Sequence, residues 1–270
     1  MTEAGFFGPD SVSWRVHREV TVLFGGARAL LMQAAHPLVV AGANQTAMYE
    51  RNPWKRLERT LQLSYSMTFG TEAEARASAD HINRVHEDVH GMDPVTGLPY
   101  DALDPDLLLW VHASLIDSAL LFEELTVGRL DDEGRERLHR EAMRAAELVR
   151  LPAERIPPTV AGLRAYIDGV VESGILTTET EGARRVSELI HRPPPGTPWR
   201  PMLFLVQAWG FGTLPPGIRR LYGVRWNPVK EAWLHSSLRT LRTIRPLLPS
   251  TVREIMPARM ARERLAAAGA

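Results

Sequence analysis

Nine histidines and no cysteine bound the metal chemistry open to this chain of 270 residues. Without thiolates, iron–sulfur clusters, thiolate-ligated haem, thiolate zinc sites, a cysteine nucleophile and disulfides are all excluded. Among the side chains that remain, imidazole is the foremost ligand type for a transition metal. Five histidines stand in apolar or helix-patterned sequence: His36 in Gln33-Ala34-Ala35-His36-Pro37, then His81, His86, His90 and His112. The densest string is His86-Glu87-Asp88-Val89-His90. Taken literally it is His-Glu-x-x-His, which on a helix sets two imidazoles on one face around zinc with the glutamate as general base. Such sites also need a third protein ligand and a helix that runs past the second histidine. Here Gly91 follows His90 at once, and no glutamate occurs between Glu87 and Glu123. A zinc-dependent hydrolase through His86 and His90 stays as one reading, with both features against it. A structural role stands beside it, since a histidine at a helix C-terminus complements the helix dipole.

The elements that must position these side chains are helices, and strand signatures are nearly absent. Ser11 or Ser13 can cap a first helix through Trp14, Val20 and Leu23, which Gly25-Gly26 would loosen. The next stretch, Ala27 to about Val40, is apolar on most sides, and Pro37 inside it predicts a kink or break after His36. Pro53 to Phe69 carries Leu57, Leu61 and Tyr65 at helical spacing, and Gly70 ends it. Thr71-x-x-Glu74 is a capping box for a helix expected to run to about His90. Asp104-Pro105 opens a core helix over Leu107–Leu125 that contains Trp110, followed by a polar helix over Asp131–Val149 and another over Val160–Ser173. Pro193-Pro194-Pro195-Gly196 reads as a linker to helices over Trp199–Leu214 and Val229–Leu248, with a frayed tail from Pro257. The expected architecture is one all-α domain, with a core over about residues 11–190 and a C-terminal helical part over about 197–256.

Composition agrees with a globular chain: 44% hydrophobic, 24% charged and a formal net charge of zero from 32 basic and 32 acidic residues. No global field therefore recruits nucleic acid or a membrane. The N-terminal MTEAGFFGPDSVSW lacks a basic region followed by an apolar run, and no apolar run is expected to reach the length of a spanning helix: the nearest, Ala27–Ala35, is interrupted by Arg28 and Gln33 and bounded by His36. The expectation is a cytosolic protein without a transmembrane segment. The apolar 199–214 segment fits either a homo-oligomer surface or an intramolecular contact.

Several stretches then fall into a familiar order. They are Trp14-Arg15-Val16-His17-Arg18-Glu19, Gln33-Ala34-Ala35-His36-Pro37-Leu38-Val39, Ala41-Gly42, Arg56-Leu57-Glu58-Arg59-Thr60 and Phe69-Gly70. After these come Val85-His86-x-x-Val89, Tyr100-x-Ala102-x-Asp104-Pro105 and Leu108-Leu109-Trp110-Val111-His112. As an ordered set they resemble the oxygenase-like family of the rubber-degrading latex-clearing protein and the membrane-bound oxygenase of mycophenolic acid synthesis.

This resemblance implies an all-helical, globin-like core holding haem b, with His86 as the axial iron ligand. A single neutral imidazole flanked by Ile82, Val85 and Val89 suits iron against an apolar macrocycle, with the other face left to dioxygen. His36 is implied as a distal-pocket or alternative axial residue. The family's distal Arg-x-x-Lys-Thr string corresponds to Arg56, Arg59 and Thr60, with Arg59 in the lysine's place. Arginine stays charged and planar, so Arg59 suits a propionate or an anionic substrate, against the plain alternative of a solvated helix charge. His112, Trp110 and Trp14 read as core packing. The implied function is a haem b-dependent oxygenase or oxidoreductase, using dioxygen or peroxide on a small apolar or natural-product substrate. A non-catalytic helical domain that binds haem or another ligand is the alternative from a different class.

Overall fold

The computed structural model describes residues 5–46, 53–192 and 200–268, the side chains at 53, 54, 56, 200 and 201 excepted. In chain order the helices are α1 (Val12–His17), α2 (Val20–Leu23), α3 (Gly25–Ala34), α4 (Pro37–Gln45), α5 (Pro53–Phe69) and α6 (Glu72–Glu87). A small hairpin, β1 (His90–Met92) and β2 (Pro99–Asp101), precedes α7 (Pro105–Thr126). There follow α8 (Asp132–Leu148), α9 (Val160–Glu172), α10 (Glu181–His191), α11 (Arg200–Gly212), α12 (Pro216–Leu221), α13 (Pro228–Ile244), α14 (Ser250–Arg253) and α15 (Met256–Ala268). The domain is all-α, as its periodicity implies.

Local chemistry sets most boundaries. Ser11 Oγ accepts from Trp14 N at 3.1 Å to start α1, and Glu141 of α8 accepts from the neighbouring Val12 and Ser13 N–H groups at 3.2 and 2.7 Å. The long first helix expected from the sequence breaks at Glu19, which is extended and forms a bridge with Glu254. The Glu19 carboxylate, 2% exposed, takes the Arg245 guanidinium, so burial of this pair wins over helix continuity. His36 is also extended, Pro37 opens α4, and the chain bends by 103° between Val20–Ala34 and Pro37–Gln45. Pro fits the first helical turn because its missing N–H is not needed there. The Thr71/Glu74 box is formed, with Thr71 Oγ1 accepting at 3.2 Å and Glu74 Oε2 accepting from Thr71 N at 2.7 Å.

The central element is α7. Trp110, 1% exposed, donates to Met32 O at 3.2 Å, and Gln33 donates to Ser114 Oγ at 3.0 Å, locking α3 against it. Arg28 of α3 reaches Asp117 and Ser118 at 2.7 Å each and Thr213 O at 2.9 Å. By length and composition α7 could cross a membrane, which corrects the expectation that no apolar run is long enough. In this fold it is mostly buried and carries Ser114, Asp117, Ser118 and Glu123 into the interior.

Other departures have non-local causes. α6 stops at Glu87 rather than near His90, because residues 90–92 pair antiparallel with 99–101 across a turn in which Gly97 has φ +69°. α13 gives way to a 3-10 turn at Arg245–Leu247, where Pro246 interrupts the ladder. The tail is not frayed up to Ala268: Ala258 and Ala261 of α15 pack with Trp14, Phe69 and Ile255, and Arg264 donates to Phe69 O at 2.7 Å. The Pro193–Gly196 linker lies outside the described residues.

Candidate functional site

His86 lies on the inward stripe of α6. At 100° per residue, Ala75, Ala79, Ile82 and Asn83 share that stripe, and Ala75, Ala79 and Asn83 are buried while Ile82 and His86 are half-buried. The His86 Nδ1 is closed to solvent and has no hydrogen-bond partner. Burial pushes this imidazole's pKa below the ordinary value, with the Asp101 carboxylate pulling the other way. Of the flanking residues expected around it, Val89 is 6% exposed, whereas Val85 is 40% exposed and turned outward. Val89 is held by close approach to α4, since a Cβ at Gly42 would sit 3.1 Å from Val89 Cγ1.

His36 comes to the same end of the bundle from the start of α4. It is 6% exposed, its Nδ1 is likewise closed and unpartnered, and its ring centre is 6.3 Å from that of Trp110. Burial takes its pKa down to about 4 against the opposing field of Asp104. Carboxylates of one turn thus oppose the loss of charge at both imidazoles, Asp101 at His86 and Asp104 at His36. That turn is stiff, with Asp104 N on Asp101 O at 3.0 Å, Leu103 N on Asp101 Oδ1 at 2.8 Å and Asp106 N on Asp104 Oδ1 at 2.8 Å.

Of the residues expected on the opposite side of the site, Arg59 and Thr60 have described side chains. Arg59 and Thr60 are exposed on α5, and the Arg59 guanidinium meets His81 Nε2 at 3.0 Å. His81 sits about 140° around α6 from His86, on another face. Arg56 lies on α5, its side chain outside the described residues.

The zinc arrangement is not present. His90 is exposed in β1 opposite Asp101, off the helix that carries His86. Glu87, the would-be general base, makes an ion pair with Arg150 at 2.7 Å. Among the described residues no three His, Cys, Asp or Glu side chains converge on a metal position.

Sequence reasoning passed over three polar groups. Asn83, 6% exposed, donates to Leu148 O at 2.9 Å and leaves its Oδ1 buried without a partner. It was findable as a polar residue one turn before His86 on an apolar stripe. His139 is fully buried and sits 2.7 Å from Pro157 O through Nε2, which must be the donor to that carbonyl. Its Nδ1 and the Nε2 of His112 are both closed and unpartnered. His17 is the third, its pKa taken down to about 4 by burial, with Glu141 opposing.

A polar-poor helical site with isolated imidazoles is the setting in which the comparisons with known proteins have force. Over residues 14–264 the chain matches the family described as ER-bound oxygenase mpaB/B'/Rubber oxygenase, catalytic domain. The chain belongs to this family. Its relatives include the uncharacterized proteins Mb2261 of Mycobacterium bovis and Rv2237 of Mycobacterium tuberculosis. Each is 25% identical over 230 residues, covering 79% of this chain and 86% of the relative. No solved structure matches the chain significantly. As a member of an oxygenase family the protein is, at that coarse level, an oxygenase-type catalytic domain, and its donor set can be tested against the family's chemistry. A metal held here by one or two imidazoles must bring its other ligands with it, as a tetrapyrrole does. The inward, unpartnered His86 beside buried Val89 fits that demand.

Proposed function

We propose that the protein is a haem b-dependent oxygenase or oxidoreductase with His86 as the axial ligand, acting on a small apolar or natural-product substrate with dioxygen or peroxide. The observation that carries this reading is His86 itself: a single inward imidazole with a buried, unpaired nitrogen, in a chain of an oxygenase family. Haem b, when bound, would supply the redox chemistry, leaving binding and orientation to the chain. His86 is neutral near pH 7 because burial holds its pKa low, so a lone pair is available without loss of a proton. His36, neutral for the same reason, is the second candidate ligand. Arg56, Arg59 and Thr60 are assigned to the opposite side, as groups that bind an anionic edge or orient the oxidant.

The test is an absorption spectrum with haemochrome quantification, on protein expressed with adequate iron and haem precursor. About one haem b per chain is expected, and His86→Ala should lose stoichiometric loading while keeping its helical circular dichroism. A colourless protein that refuses added haemin removes the reading. Full loading of His86→Ala moves the axial role to His36.

A further inference from the structure

We infer that Asn83 is the hydrogen-bond acceptor that orients and polarises His86 through its Nδ1–H, a positioning residue for the axial ligand; this rests on the haem reading. Two orphaned atoms one helical turn apart point to the pairing. The Asn83 Nδ2 donates to Leu148 O at 2.9 Å. A backbone carbonyl can only accept, so the amide cannot be turned over, and Oδ1 is fixed as the free acceptor. That oxygen is closed to solvent and has no partner. An acceptor left in that state is destabilising and calls for an explanation.

The complementary orphan is His86 Nδ1, equally closed and unpartnered. A neutral imidazole that gives its Nε2 lone pair to a metal carries its one ring hydrogen on Nδ1, and that hydrogen needs an acceptor. Residues three apart on a helix have Cβ atoms about 5–6 Å from each other. Rotation about side-chain torsions can then join the pair with α6 held in place. Ala79, 2% exposed on the same stripe, offers no polar rival. The rival is Asp101, which faces His86 from β2, but it is exposed and its Oδ1 already holds Leu103 N at 2.8 Å. Asn83 keeps its free oxygen in the interior, where a hydrogen bond is not diluted by water.

The experiment uses haem-loaded protein and reads the ferrous Fe–His stretching band and the Fe(III)/Fe(II) potential. Asn83→Leu removes the acceptor. It should lower the Fe–His frequency, raise the potential and speed haem loss roughly tenfold to a hundredfold, the range for lost ligand-orienting groups. Asn83→Asp restores an acceptor oxygen and should hold the frequency at or above wild type and the potential at or below it. A merely structural Asn83 would move both variants in the same direction, through the Leu148 contact. Asp101→Asn should leave the band in place. An unmoved band in Asn83→Leu, parallel shifts in both Asn83 variants, or a drop reproduced by Asp101→Asn each overturns the inference while leaving the haem reading intact. Absence of haem removes the haem reading and this inference with it, whereas an Fe–His band that survives His86→Ala moves the axial role to His36 and overturns this inference alone.

Discussion

Replacing His112 by leucine should flatten the acid side of the protein's stability curve. His112 stands on α7, half-buried, with its Nε2 closed to solvent and unpartnered. Burial lowers its pKa from 6.5 to about 4, and the neighbouring His139 adds in the same direction. The unfolded chain thus takes up a proton near pH 6.5 that the folded chain accepts only near pH 4. Between those values the unfolded state binds more protons, so stability falls as pH drops and levels off below about pH 4. The slope for one such group is about 1.4 kcal/mol per pH unit, which makes about 2 kcal/mol between pH 6.5 and pH 5. At pH 7 the imidazole is neutral in both states. Leucine there removes an unsatisfied buried nitrogen at similar volume, so the variant should lie within about 1 kcal/mol of wild type. Urea unfolding of haem-free protein at pH 7 and pH 5, followed by circular dichroism, measures the difference. His17 and His36 are also held near pH 4, but they titrate in both proteins and cancel. The leucine variant should gain about 2 kcal/mol on wild type at pH 5 relative to pH 7. A gap between the two proteins that is the same at both pH values would refute the argument that His112 is buried and neutral.

Three further outcomes are expected. Arg28→Met should cost about 3–5 kcal/mol in the same unfolding assay, because it leaves Asp117 buried with only Arg164, at 3.6 Å, to offset its charge; adding Asp117→Leu should recover most of the loss. Thr71→Ala should cost about 1 kcal/mol through the lost cap, since Glu74 keeps only its half of the box. Thr60→Ala, at an exposed position on α5, should change stability by under about 0.5 kcal/mol. If the opposite-side assignment holds, this variant and Arg56→Ala keep haem and lose turnover of a surrogate oxidant; unchanged turnover in both removes them from the mechanism.

Where a boundary is set by its own few residues, the sequence discloses it. Pro53 and Gly70 bracket α5, Thr71 and Glu74 start α6, and Pro37 breaks the chain after His36, each by a backbone or capping effect contained within a turn. Boundaries set by distant partners stay hidden. Nothing near Glu19 announces the bridge to Glu254 and the buried Arg245 that end the first helix. Nothing near Pro257 announces that Ala258 and Ala261 will find Trp14 and Phe69. The site obeys the same rule. His86 stands out by its motif, but Asn83 gains its meaning only when Leu148, 65 residues away, occupies its amide and leaves the oxygen unpaired.

Motif order also leaves undetermined which way a side chain faces, and α6 is the case in point. His81 and His86 are five residues apart, which is about 140° on a helix, so one cavity cannot receive both. Arg59 is tied to His81, hence to the face His86 does not share. For Arg59 to act on anything held by His86, its side chain must turn away from His81 and give up their 3.0 Å contact. An exposed polar contact of this kind is worth about 1 kcal/mol or less, so it locks nothing. The His86 side is built differently. Asn83 is anchored to Leu148, Val89 is pressed against α4 at Gly42, and the Asp101–Asp104 turn is closed by three hydrogen bonds around it. Breaking the Asn83–Leu148 bond would leave a partly buried polar group without a partner, at about 1–3 kcal/mol. The two sides therefore differ at the level of single side chains: Asn83 and Val89 are fixed by buried neighbours, whereas the exposed Arg59 side chain is held by one weak contact on a helix that Phe69 anchors to Trp14 and α15.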